Sequence, residues 1–206
     1  MRILIRSALC LALIAGISAC DRRADPENQP TPDPTTTTTP SAVTPADSST
    51  PPADAAMNAP AANDALVLGL LGAVNEHEIA AAQQAEGKNV SAPVLTYATM
   101  METEHSENQS KTVSLGTLAN TDEVQAKNSK GEQELAELDT KAGAEYEAAY
   151  VDAMVKGHTE VLSLIDTKLI PLASSEAVKQ HMQDTRDDVA MHLAKAQELQ
   201  TSMSSK

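Results

Sequence analysis

Glu78, His105, His158 and His192 are the residues of this chain whose types and spacing could do chemistry. Each interrupts a stripe of mainly apolar or small residues that recurs every three or four positions, the signature of a core-facing helix side. The first stripe is Val67, Leu71, Val74, Glu78, Ala81 and Ala85, and the second runs Val94, Ala98, Met101, His105, Asn108, Thr112 and Leu115. The third carries Val151, Met154, His158, Val161, Ile165 and Leu169. The fourth carries Val178, Met182, Thr185, Val189, His192, Ala196, Leu199 and Met203. Three imidazoles and a carboxylate on four facing helices suit zinc, iron, copper or manganese. Glu102, Asp152 and Asp188 lie within a turn or so of these histidines and are candidate outer carboxylates that would fix an imidazole's tautomer. The same four groups could instead form a buried hydrogen-bonded network with no metal, since buried polar groups need partners in either case. His77 and His181 fall off the stripes and are expected in solvent.

Positioning these groups requires four long helices. The first opens near Asn63-Asp64 and stops at Gly87. The second opens at Ser91 with Pro93 in its first turn and fades by Asn120. A short helix over 130–140 follows, with Ser129 and Glu132 spaced as a capping box. The third long helix spans 144–169 and is ended by Pro171, and the fourth runs from Ser174 to Met203. Short links make helices one and two, and three and four, antiparallel neighbours, while about 22 residues are free to cross over between the pairs. The expected fold is therefore all-α, a ferritin-like four-helix bundle with one long crossover over residues 63–203. Reflection through turns centred near residues 89–90 and 172 sets Glu78 within about one turn of His105. It leaves His158 and His192 roughly 9 Å apart along the axis.

The rest of the chain reads as an address. Arg2 and Arg6 precede an apolar run from Ser7 to Ile17, too short to span a bilayer. The run ends in Ile17-Ser18-Ala19-Cys20, which resembles the lipobox of bacterial lipoproteins and implies a signal over 1–19 and lipid on Cys20. The expected partner is thus a membrane reached through that lipid, and the expected location is the bacterial envelope, facing the periplasm. Residues 20–62 hold nine of the 11 prolines and the Thr35–Thr39 run, a composition that cannot offset its ordering entropy and reads as a disordered tether. Such a tether has an r.m.s. span of roughly 35–40 Å when flexible.

Composition narrows the function classes. A net charge of −14, which becomes about −16 once Arg2 and Arg6 are removed, argues against nucleic acid as a partner. Three tyrosines without Phe or Trp make no base-stacking platform. Cys10 leaves with the signal and Cys20 carries lipid, so the helical part has no thiol. No nucleophile elbow, P-loop or dinucleotide glycine fingerprint occurs, and the balance favours a non-enzymatic module.

Three motifs carry a family resemblance. They are Tyr97-Ala98-x-x-Met101-Glu102-x-Glu104-His105, Tyr146-Glu147-x-x-Tyr150-x-x-x-Met154-Val155-x-x-His158, and His192-Leu193-x-x-Ala196. With Glu78 these resemble the DUF4142 family of bacterial envelope proteins, over residues of about 64–200. The resemblance implies an exported helical bundle with Glu78, His105, His158 and His192 at recurrent polar positions. Glu104 and Glu147 stand where Asp is usual, and Tyr146 stands for Phe. The set departs from a di-iron ferroxidase, because only helix two has Glu-x-x-His and helix three offers His158 in place of a Glu.

Overall fold

The computed structural model describes residues 59–205; the signal and lipidation readings and most of the expected tether lie outside them, while the tether's last residues, 59–62, are helical rather than disordered. Among the described residues the chain is all-helical. Helix α1 spans Ala59–Gly87, α2 Ala92–Leu115 and α3 Asp122–Asp139. Helix α4 spans Gly143–Leu164 and continues through a π turn, Ile165–Leu169, and a last helical turn, Ile170–Leu172; α5 spans Glu176–Ser204. α1 pairs with α2, and α4 pairs with α5. α2 also meets α5, while α3, in the crossover, lies mainly on α1 and reaches α4.

α1 is the central helix, with every residue from Val67 to Asn75 buried. It is long and apolar enough to cross a membrane by length and composition, but 67% of its apolar window is buried inside the protein, as befits a core helix. It begins at Ala59, ahead of Asn63-Asp64. Asp64 serves a different helix: its carboxylate accepts the Ser174 N–H at 2.7 Å and the Ser175 N–H at 3.1 Å, closing the turn before α5. Gly69 lets the loop after α2 come close, where the Ala119 N–H donates to the Ala65 carbonyl at 2.8 Å.

The crossover helix starts earlier than its sequence suggests. Thr121, not Ser129, is the cap, with its side chain accepting from the Val124 N–H, and Asp122 and Glu123 favour the positive end of the helix dipole. Ser129 is mid-helix. The π turn ahead of Pro171 is a second departure. A proline cannot donate, and its ring crowds the carbonyl four residues back; the wider turn accommodates this and lets the helix run to Leu172.

The core divides into two apolar clusters. One contains Leu68, Leu71, Val161, Ile165, Leu169, Met182 and Val189. The other contains Ala81, Ala85, Met101, Met154, Ala196 and the tyrosines Tyr97, Tyr146 and Tyr150. Tyr146 stacks on Tyr150 at 6.1 Å between centroids, and Tyr97 meets Tyr150 edge-on at 6.4 Å, so all three aromatic residues of the chain join in one place. Between the two clusters lies a buried polar layer.

Candidate metal centre

The polar layer holds Glu78, His105, His158 and His192, which are 3%, 4%, 1% and 2% exposed. One comes from each long helix. The three imidazoles converge, with ring centroids 6.0 Å apart for His105–His158, 5.2 Å for His105–His192 and 5.5 Å for His158–His192. One nitrogen from each ring lies within 4.8 Å of the other two. The 9 Å axial offset expected for His158 and His192 is not found. The hairpin's centre lies nearer the α5 cap at Ser175 than residue 172, and the π turn takes one more residue per turn than an α-helix, so the two histidines come level.

Each ring is held from outside. His158 Nδ1 lies 2.8 Å from the Met154 carbonyl, and His192 Nε2 lies 2.6 Å from a Glu104 carboxylate oxygen. Both partners only accept, so these nitrogens carry the protons. His105 Nδ1 lies 2.9 Å from Asn75 Oδ1, and the Asn75 amide in turn donates to Asn108 Oδ1 at 2.9 Å, which assigns the proton on His105 to Nδ1 as well. The other nitrogens, His105 Nε2, His158 Nε2 and His192 Nδ1, are buried without a hydrogen-bond partner, as is Glu78 Oε2. Three lone pairs and a carboxylate oxygen are thus left over in the polar layer.

Electrostatics fit that assignment. Burial pushes the His105 imidazole down to about 3, against a smaller opposing pull from Glu78. Burial also lowers His192, although the bond to Glu104 pulls the other way. Burial would by itself raise the Glu78 carboxyl, but the positive charge that His158, His105, His77 and Lys127 can carry together outweighs it and holds the group below its ordinary value. Burial thus favours the neutral form of His105 and His192, the form that offers a lone pair. With bonds of about 2.0–2.1 Å, a bound metal would ask the rings to tilt inward from their present spacing.

Of the outer carboxylates expected from the sequence, two turn elsewhere. Glu102 accepts from the Gln83 side chain of α1 at 2.8 Å, and the exposed Asp152 accepts from Gln200 at 2.8 Å. Asp188 is exposed but stays close, lining a surface cavity together with Glu104. Spacing within α2 does not say which neighbour lies on which flank; the Glu102 flank meets α1 and the Glu104 flank meets α5. The outer partners that hold the rings are instead Asn75 and Glu104, the latter directly before His105 in its motif. Asn75 was findable, because it lies one turn before Glu78 on the same helix side.

His181 corrects a further expectation. It is 3% exposed, with Nε2 at 2.9 Å from Thr112 Oγ1, because α5 packs against α2 as well as α4 and buries a wider arc than one stripe. His77 is half-buried, with Nε2 3.3 Å from Glu134 of α3.

The motif residues surround this layer. Glu147 accepts from the backbone N–H and the hydroxyl of Ser91, both at 2.7 Å, tying the start of α2 to α4. Tyr97 donates to the His192 carbonyl at 3.3 Å, and Met101 and Met154 lie one turn from His105 and His158. The family model described as a domain of unknown function, DUF4142, matches residues 49–199. The chain belongs to the DUF4142 family. No curated protein and no solved structure matches it. Within this DUF4142 domain, the motifs recognised in sequence are the residues that build, orient and floor the histidine layer.

Proposed function

We propose that the protein is a metal-binding module of the bacterial envelope, holding one first-row transition metal between His105, His158 and His192, with the Glu78 carboxylate of the same layer offsetting its charge. The observation that carries this reading is the set of three unpartnered imidazole nitrogens, each on a ring whose opposite nitrogen is held by an acceptor. That division of labour is how ligating histidines are oriented. Asn75, Asn108, Thr185 and Glu104 are hydrogen-bonded around the rings, whereas His105 Nε2, His158 Nε2, His192 Nδ1 and Glu78 Oε2 are left without partners, which favours the metal reading over a network among the four. Nitrogen donors without thiolate favour zinc, copper or iron, and the carboxylate admits manganese.

The address completes the proposal: lipid on Cys20 anchors the chain, and residues 21–58 hold the helical domain away from the membrane surface. The lipobox-like Ile17-Ser18-Ala19-Cys20 and the proline-rich composition support it. Two or three acyl chains suffice for stable anchoring, whereas one does not.

The test is elemental analysis of the full chain, purified in detergent without a His tag, as isolated and after exposure to Zn, Fe(II), Cu or Mn. One metal per chain, lost in His158→Gln, is expected. A metal-free protein whose melting is unchanged by all four would overturn the reading. Separately, Cys20→Ser should release the protein from membranes, and continued retention would remove the anchor.

A further inference from the structure

We infer that the metal reaches the histidine layer through the seam between α2 and α5, drawn by an acidic vestibule and handed inward by Glu104. The inference rests on the metal-binding reading above. A site whose ligands are 4% exposed or less needs a way in. Along the bundle axis the layer is closed by the two apolar clusters. On the α1 side it is covered by α3, packed so closely that a Cβ on Gly131 would stand 2.8 Å from His77 Nδ1. Among the described residues no helix covers the α2–α5 seam, and it bears an open cavity of about 430 Å³.

The cavity's lining includes Glu104, Glu107, Asp184 and Asp188, against the one lysine, Lys111; His181 also faces it. Four carboxylates at the mouth of a low-dielectric cleft concentrate cations and speed their arrival. The charges are crowded: burial, then the neighbouring Glu104, Asp184 and Asp187, raise the Asp188 carboxyl, although His192 opposes them. A second observation links this cluster to a ligand. Glu104 is 35% exposed, lines the cavity, and bonds at 2.6 Å to His192, a 2%-exposed ring whose other nitrogen is unpartnered. Among the described residues no other side chain both lines the cavity and bonds to a histidine of the layer. Among the described residues the bond to His192 is its one hydrogen bond, so Glu104 can swing outward, exchange a water of a hydrated cation for its oxygen, and return.

Stopped-flow mixing of Co(II) with the metal-free full chain in detergent tests this, read by the visible absorption of nitrogen-bound Co(II). Uptake by the unaltered protein should slow as salt is raised. The double variant Glu107→Gln/Asp184→Asn should fill about tenfold more slowly at low salt, reach the same final absorption, and approach the unaltered protein at high salt. The control Glu132→Gln/Glu137→Gln removes two charges from the exposed face of α3 and should fill at the original rate. Equal rates for the vestibule variant and the unaltered protein, or equal slowing in the control, would overturn the route while leaving the metal site standing. No Co(II) absorption in the unaltered protein would overturn the metal reading and the route together.

Discussion

His105, His158 and His192 differ from ordinary buried histidines in how their two nitrogens are used. One is satisfied by Asn75, the Met154 carbonyl or Glu104, and the other is left free. Removing an outer partner should therefore loosen a ligand without deleting it. Glu104→Ala is expected to weaken metal affinity about 10- to 100-fold, as loss of such outer partners does elsewhere; competition with a chromophoric chelator reads this directly. A second expectation concerns acid. His105 and His181 both have folded values below the ordinary histidine value, because burial penalises the cation. As pH falls below about 6.5 the unfolded chain takes up protons that the folded chain refuses, so stability falls with pH. The urea midpoint of metal-free protein should drop from pH 7.5 to pH 5, and His181→Asn should flatten part of that slope while His105 and His192 keep the rest. A midpoint constant over this range would contradict the neutral assignment.

At the scale of elements, close approaches fix how the helices meet. A Cβ at Gly69 would stand 2.4 Å from the Ala119 backbone oxygen, and that loop is held by its own bond to Ala65, so it cannot yield cheaply. Gly69→Ala should cost about 1–3 kcal/mol, the usual penalty for overpacking. Gly87 ends α1 in open space, where an added Cβ would meet nothing within 4 Å, and its φ is not positive. Gly87→Ala should therefore stabilise by about 0.4–1 kcal/mol through the unfolded chain. Urea unfolding of the pair checks the contrast. Element ends also show where sequence reading falters. Ser129 with Glu132 has capping-box spacing, yet Thr121 is the cap, because a helix once begun continues through a serine. The π turn likewise leaves no simple mark in Ile165–Leu169, although it sets the register of His158 against His192.

Over the whole molecule, a metal held by α2, α4 and α5 would join both hairpins, so binding should appear as global stability. At a free metal concentration of 100 times Kd the gain is about 2.7 kcal/mol. For a domain of this size that raises Tm by about 5–10 °C. His158→Gln should abolish the shift while still folding, since Gln can occupy the site without leaving a charge; calorimetry with and without metal decides this. The acidic balance of the chain acts at this scale too, because it sets the field in which a cation approaches the vestibule.

The sequence by itself determined the helical class, the four stripes and the four residues that interrupt them, because burial of one helix face imposes a 3.6-residue period that local order preserves. It also carried the family motifs that now surround the histidine layer. The tertiary structure decided what no spacing encodes: which flank of α2 meets α5, and hence that Glu104 rather than Glu102 holds His192. It decided the level at which the hairpins meet and the burial of His181 against Thr112. It decided also which nitrogen of each imidazole is spoken for and which is free. These depend on contacts between residues 30 to 90 positions apart, such as Asn75–His105 and Glu104–His192. A helical period fixes a direction around one axis; only packing fixes what stands opposite it.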